Sequence, residues 1–130
     1  MSEELQSRDG ALVFEAFRLD RADELYRMNE HDQWERVALG SRALAVLRAL
    51  AEQRGALVTK QALMDVVWPG MAVEESNLSV QMSTLRRVLD AGRAEASCIQ
   101  TVIGRGYRFL PAVTVEADVP VSDFGTRARR

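Results

Sequence analysis

From Glu74 to Asp90 the chain reads EESNLSVQMSTLRRVLD, with Leu78, Met82, Leu85 and Leu89 spaced four, three and four apart. A helix turns by roughly 100° per residue, so these four side chains share one narrow stripe. Such a stripe is stable only when other elements cover it. The preceding segments can supply that cover. SRALAVLRALAEQRG (41–55) repeats Leu44, Leu47 and Leu50 at helical spacing, with Ser41 expected as N-cap and Gly55 as stop. TKQALMDVVWPG (59–70) opens on Thr59, gathers Leu63, Val66 and Val67 on one face and ends at Pro69-Gly70. Only the short loop MAV separates it from the third helix.

The flanks of this helical block read as strands. ALVFEAFRLD (11–20), DELYRMN (23–29) and WERVAL (34–39) carry β-branched and aromatic residues, with turn-like DRA and EHDQ between them. They predict a small antiparallel sheet. After the loop AGRAEAS, the segments CIQTVI and YRFLPAV predict a hairpin that reverses over Gly104-Arg105-Gly106. Two glycines permit a tight reversal, whereas a long cation at the tip is not needed for one. The order of strands, three helices and a closing hairpin predicts an α+β fold: a winged helix-turn-helix with an N-terminal antiparallel sheet and a C-terminal β-hairpin wing. The expected organisation is a disordered N-terminus (1–10), one domain (11–112) and a flexible tail or linker (113–130).

Charge does not decide the function. The net charge of −2 argues against a nucleic-acid partner, yet its distribution is uneven. Residues 1–40 hold 5 arginines against 10 acidic residues, whereas residues 41–111 hold 9 Lys and Arg against 6 acidic residues. The third helix is more informative. Ser76, Val80, Ser83, Thr84 and Arg87 point away from the buried stripe, with Gln81 and Arg86 at its borders. A short face of hydroxyls lets a helix approach a groove closely. Val80 can meet a thymine methyl, Gln81 can pair with adenine, and arginine can pair with guanine. Val80, Gln81, Ser83, Thr84 and Arg86 are therefore the candidate base readers. Arg105 at the hairpin tip is the candidate for the DNA backbone or a minor groove, where narrow grooves concentrate negative potential.

The stretches LVTKQALMDVVWPG, VEESNLSVQMSTLRRVL and TVIGRGYRF, in this order and spacing, resemble the OmpR/PhoB-type winged-helix DNA-binding domain over about residues 12–112. The wing sequence GRGYRF resembles the branch of CadC-like and larger multidomain regulators. The resemblance implies a four-stranded N-terminal sheet, major-groove reading by 74–90 and wing contact near Arg105. It implies phosphate contacts at Lys60, Trp68 and Tyr107, and DNA contacts at Thr101 and Arg86; Arg87 joins the backbone candidates by its place on the outer face. It further implies RNA polymerase contact through the 69–73 loop and pairing of copies on DNA. The chain departs from the family pattern at Ser83 and Thr84, where many members carry arginine, and at Ile103, where many carry a charge. It also has Ala43 where many have glutamate early in the first helix.

Other function classes find little support. One histidine, His31, and one cysteine, Cys98, offer neither a ligand cluster nor a catalytic set, so no metal, cofactor or enzyme activity is expected. Gly104-Arg105-Gly106 lacks the third glycine and following helix of a dinucleotide fingerprint. The N-terminus has no apolar signal region, and no apolar run reaches the roughly 18 residues of a membrane span. The expected function is sequence-specific binding of double-stranded DNA by a cytoplasmic bacterial transcription regulator. The rival reading is a winged-helix module for protein interaction or oligomerisation, favoured by the acidic N-terminal third.

Overall fold

The computed structural model describes residues 10–94 and 96–117. Among these residues the elements run, in chain order, β1 (Gly10–Phe14), β2 (Phe17–Leu19), β3 (Leu25–Met28), β4 (Trp34–Val37), α1 (Ser41–Glu52), β5 (Val58–Thr59), α2 (Lys60–Val67), α3 (Glu75–Leu89), β6 (Ile99–Val102), β7 (Gly106–Phe109) and β8 (Thr114–Ala117). They fall into two compact units. One comprises the chain up to Leu39 and from Val113 onward; the other is Gly40–Ala112.

The first unit is an antiparallel sheet in the order β4-β3-β2-β1-β8. Each turn has a local cause. Phe14 and Phe17 pair across the first reversal and stack with ring centroids 5.5 Å apart. The carboxylate of Asp20 accepts from the backbone N–H groups of Ala22 and Glu24, each at 2.9 Å. The side-chain oxygen of Asn29 does the same for His31 and Gln33 at 2.7 and 3.0 Å. Both are Asx-type turns, in which a short polar side chain stands in for a backbone acceptor. His31 sits exposed in the second of them.

Two expectations are corrected in this unit. Residues 11–20 form not one strand but a hairpin, because Glu15 adopts φ +50 and reverses the chain. The reversal uses no glycine, proline or asparagine, so nothing in the composition announced it. The tail expected from residue 113 begins instead with a strand. β8 pairs with β1 in the register Leu12↔Val115 and makes a fifth strand where four were expected. Arg18, only 5% exposed, secures it. Its Nη1 meets Glu116 Oε1 at 3.0 Å and its Nη2 donates to the Ala117 carbonyl at 3.3 Å. Residues 1–9 and 118–130, the remainder of the expected disordered terminus and tail, lie outside the described residues.

The second unit packs α1, α2 and α3 on one another beside a small sheet in the order β5-β7-β6. Its core takes Ala43, Val46, Leu47 and Leu50 from α1, Leu63 and Val67 from α2, and the whole Leu78, Met82, Leu85, Leu89 stripe from α3. Thr59 caps α2 as expected, its hydroxyl accepting from the Ala62 N–H at 3.0 Å. Ser41 does not cap α1: Gly40 holds the N-cap position and Ser41 is the first helical residue. Val66 also departs from expectation, standing 58% exposed on the rim of α2 rather than in its buried face. Glu75 in the first turn of α3 and Arg86 and Arg87 in its last turn complement the helix dipole.

Candidate nucleic-acid interface

The outer face of α3 follows from its inner one. With Leu78, Met82, Leu85 and Leu89 fully covered, Val80, Ser83 and Arg87 are exposed, and Gln81 and Thr84 are half-buried at the edges. Val80 is 59% exposed, an apolar side chain set among small hydroxyls. Thr84 Oγ1 donates to the Val80 carbonyl at 3.1 Å. That bond occupies the hydroxyl proton, so Thr84 offers a ligand its methyl group and its oxygen lone pairs.

Arg86, a candidate reader by sequence, has partners within the protein. Its Nη2 donates to the Ile99 carbonyl at 2.8 Å and to Thr101 Oγ1 at 2.7 Å. Its guanidinium carbon lies 6.0 Å from the centre of the Tyr107 ring, within range of a cation–π contact. Arg86 therefore straps α3 to β6 and β7, so the guanidinium expected to read a base is engaged within the protein as a brace. The consequence reaches Thr101. Its hydroxyl accepts from Arg86 and keeps its own proton for another acceptor.

The hairpin tip is held from two sides. The Arg105 N–H donates to the Val102 carbonyl at 2.9 Å, closing the turn, and the Arg105 carbonyl accepts from the Lys60 N–H at 3.2 Å. The two glycines have separate duties. Gly104 takes φ +78, the left-handed conformation that the reversal needs. Gly106 has an ordinary φ but is crowded: a Cβ there would stand 2.0 Å from the Val58 carbonyl oxygen. It is glycine so that β5 can lie against β7, a reason the sequence did not disclose. Beyond the tip, Arg105 is exposed and Ile103 is 91% exposed.

The remaining candidates divide by burial. Lys60 Nζ pairs with Glu75 Oε2 at 2.6 Å. That hydrogen bond, then the charge of Glu75, raises the lysine pKa above its ordinary value, so Lys60 stays cationic at neutral pH. Trp68 and Tyr107 are each only 7% exposed. The guanidinium of Arg42 lies 5.6 Å from the Trp68 ring centre and donates to the Val67 carbonyl at 3.1 Å. In the 69–73 loop Met71 is exposed and Gly70 turns at φ +72. Sequence reasoning missed Glu75 as the partner of Lys60 and Arg42 as the partner of Trp68. The acidic first turn of α3 was a visible signal for the former; nothing pointed to the latter. Cys98 is buried, as its small apolar character suggested. Among the described residues no group of three or more His, Cys, Asp and Glu is placed to hold a metal ion, and no helix is long and apolar enough to cross a membrane.

Packed helices whose last member is strapped to a β-hairpin with an arginine at its tip define a winged helix-turn-helix domain of the OmpR/PhoB type. A family model for "Transcriptional regulatory protein, C terminal" matches residues 34–109, and the chain belongs to that family of DNA-binding regulator domains. Transcriptional regulator HilA of Salmonella typhimurium is 35% identical over 109 residues, covering 83% of this chain and 19% of HilA. The cholera toxin transcriptional activator of Vibrio cholerae is 32% identical over 95 residues, covering 71% of this chain and 32% of the activator. The chain thus spans a third or less of the length of these curated relatives. Among solved structures, the DNA-binding domain of E. coli CadC superposes with a TM-score of 0.70 at 21% identity, covering 82% of this chain and 97% of that domain. That likeness concerns the fold.

Proposed function

We propose that the chain binds double-stranded DNA sequence-specifically, with α3 in the major groove and the hairpin on the backbone or in the adjacent minor groove, as part of a bacterial transcription regulator. The observation that carries this reading is the outer face of α3. An exposed Val80 among uncharged hydroxyls, strapped by Arg86 to an arginine-tipped hairpin, suits a groove better than it suits bulk water. Val80 meets a thymine methyl, Gln81 reads adenine, and Ser83 and Thr84 accept from base edges. Lys60, Arg87, Thr101, Trp68 and Tyr107 contact phosphates, and Arg105 extends the contact from the wing. Lys60 changes partner on docking, from Glu75 to a phosphate. Cytoplasmic placement, where the chromosome lies, belongs to the same reading, as do pairing of copies on DNA and an RNA polymerase contact. Exposed Val66 and Met71, on α2 and in the loop after it, support a protein contact there. They also support the reading of the chain as an interaction module.

Selection from a random duplex pool at two salt concentrations tests the proposal. Enrichment of one motif, with binding that weakens as salt rises, is the expected result. Failure to enrich any sequence at low salt, with the protein folded, overturns it in favour of the interaction module.

A further inference from the structure

The tip of the hairpin carries an isoleucine that is 91% exposed, two residues before the exposed Arg105. Its surroundings are unusually fixed for a loop tip. The Val102–Arg105 backbone bond closes the turn around Ile103, the Lys60 N–H holds the Arg105 carbonyl, and Arg86 ties β6 to α3. Gly106 lets β7 lie close on β5 just behind the tip. A β-branched side chain has few rotamers to lose when it docks. The result is a preorganised apolar knob next to a cation, with nothing in its own unit covering it.

We propose that Ile103 is a specificity residue: an apolar probe of the minor groove that favours A·T pairs by sensing the absence of the guanine 2-amino group. This rests on the DNA-binding reading above and adds to it a base preference at the wing. The minor groove has apolar deoxyribose walls, and its floor differs between pairs chiefly by that amino group. An aliphatic side chain pressed into the groove gains contact with the sugars. Against G·C it also covers a polar donor that it cannot satisfy, which costs binding. Arg105 supplies the attraction and Ile103 the discrimination. Because the contribution of Ile103 is apolar, it releases no counterion and leaves the salt dependence unchanged.

Inosine separates this from major-groove readout, and Ile103→Ala separates it from reading of groove width by Arg105. An I·C pair presents the minor groove of A·T, without the amino group, and the hydrogen-bonding major-groove edge of G·C. Take the motif selected by the wild-type protein and place A·T, G·C or I·C pairs where the wing falls. The wild type is expected to bind the A·T and I·C versions alike, and the G·C version about tenfold more weakly, the scale of one discriminating base contact. Ile103→Ala is expected to keep its melting temperature and its salt slope while losing most of that preference. Arg105→Ala is expected to bind all versions more weakly with a shallower salt slope. An Ile103→Ala protein with the wild-type ratio between versions overturns the proposal and leaves the DNA-binding reading intact. A wild type that groups I·C with G·C also overturns it. A folded wild type that binds none of the duplexes overturns both.

Discussion

Arg86 and Arg87 are neighbours in sequence and sit on different sides of α3. Arg86 lies over the seam with the hairpin, where its guanidinium meets the Ile99 carbonyl, the Thr101 hydroxyl and the Tyr107 ring. Arg87, one residue on, stands exposed with the outer face. One charge holds two elements together; the other faces solvent. Identical side chains thus divide between an internal seam and an exposed face through the helical rotation alone. The same rotation separates the buried Leu85 from the exposed Val80.

The sharpest test of that division is Leu85→Ala on the inner face. It removes a fully buried side chain and is expected to cost about 2–5 kcal/mol. A thermal melt with an unchanged midpoint breaks the comparison at its base. Val80→Ala, on the opposite face, should leave the melt unchanged and alter the selected motif.

The glycine pair comes next. Gly106→Ala forces a methyl group into the Val58 carbonyl, a backbone atom that cannot swing aside, and is expected to cost about 1–3 kcal/mol. Gly104→Ala meets no neighbour within 4 Å and suffers only from its positive φ, costing about 1 kcal/mol. If Gly104→Ala proves the more damaging in urea melts, the hairpin is held by its turn rather than by its packing on β5.

For the arginines, Arg86→Ala is expected to lower stability by about 1 kcal/mol, the scale of a hydrogen bond from a partly exposed charged donor. Arg87→Ala should leave stability unchanged and reduce the logarithmic salt slope of DNA binding by about 0.9, one phosphate's worth. Equal effects of the two substitutions on both readouts erase the distinction.

The smallest effect concerns Asp90, at the end of α3. Burial pushes its carboxyl up, but the Cys98 backbone N–H at 2.9 Å, Ser97 and the charge of Arg93 outweigh that and hold it below its ordinary value. A depressed carboxyl contributes stability that is present above the unfolded-state pKa and is lost as pH falls through the folded-state pKa. Asp90→Asn should therefore be slightly less stable than wild type at neutral pH, with the gap closing in acid. A gap that widens in acid contradicts the assignment.

What could be read in the sequence was whatever residue type and local spacing determine. The α3 stripe, the cap at Thr59 and the hairpin around Gly104 each follow from residue type and spacing, and the structure has them there. Where one residue decides between two environments, pattern did not suffice. Val66 lies at the margin of an apolar face, and only the packing of α2 determines that it stays out. Arg86 lies at the margin of α3, and only the approach of β6 claims its guanidinium. The turn at Glu15 uses a residue with no turn preference, and β8 gains its identity from a partner a hundred residues upstream.

That last pairing sets an order of assembly. Gly10 lies opposite Ala117, so the outer ladder of the first sheet joins the two ends of a segment that contains every helix described here. During synthesis β1 to β4 can zip by short reversals as they emerge. The position beside β1 stays vacant until the helical unit and its hairpin have also left the ribosome. Closing so long a loop is slow compared with a local turn. Until it closes, β1 is an open edge able to pair with other chains, a state known to invite aggregation. Arg18 and Glu116 act at that final step, fastening the last strand when it arrives.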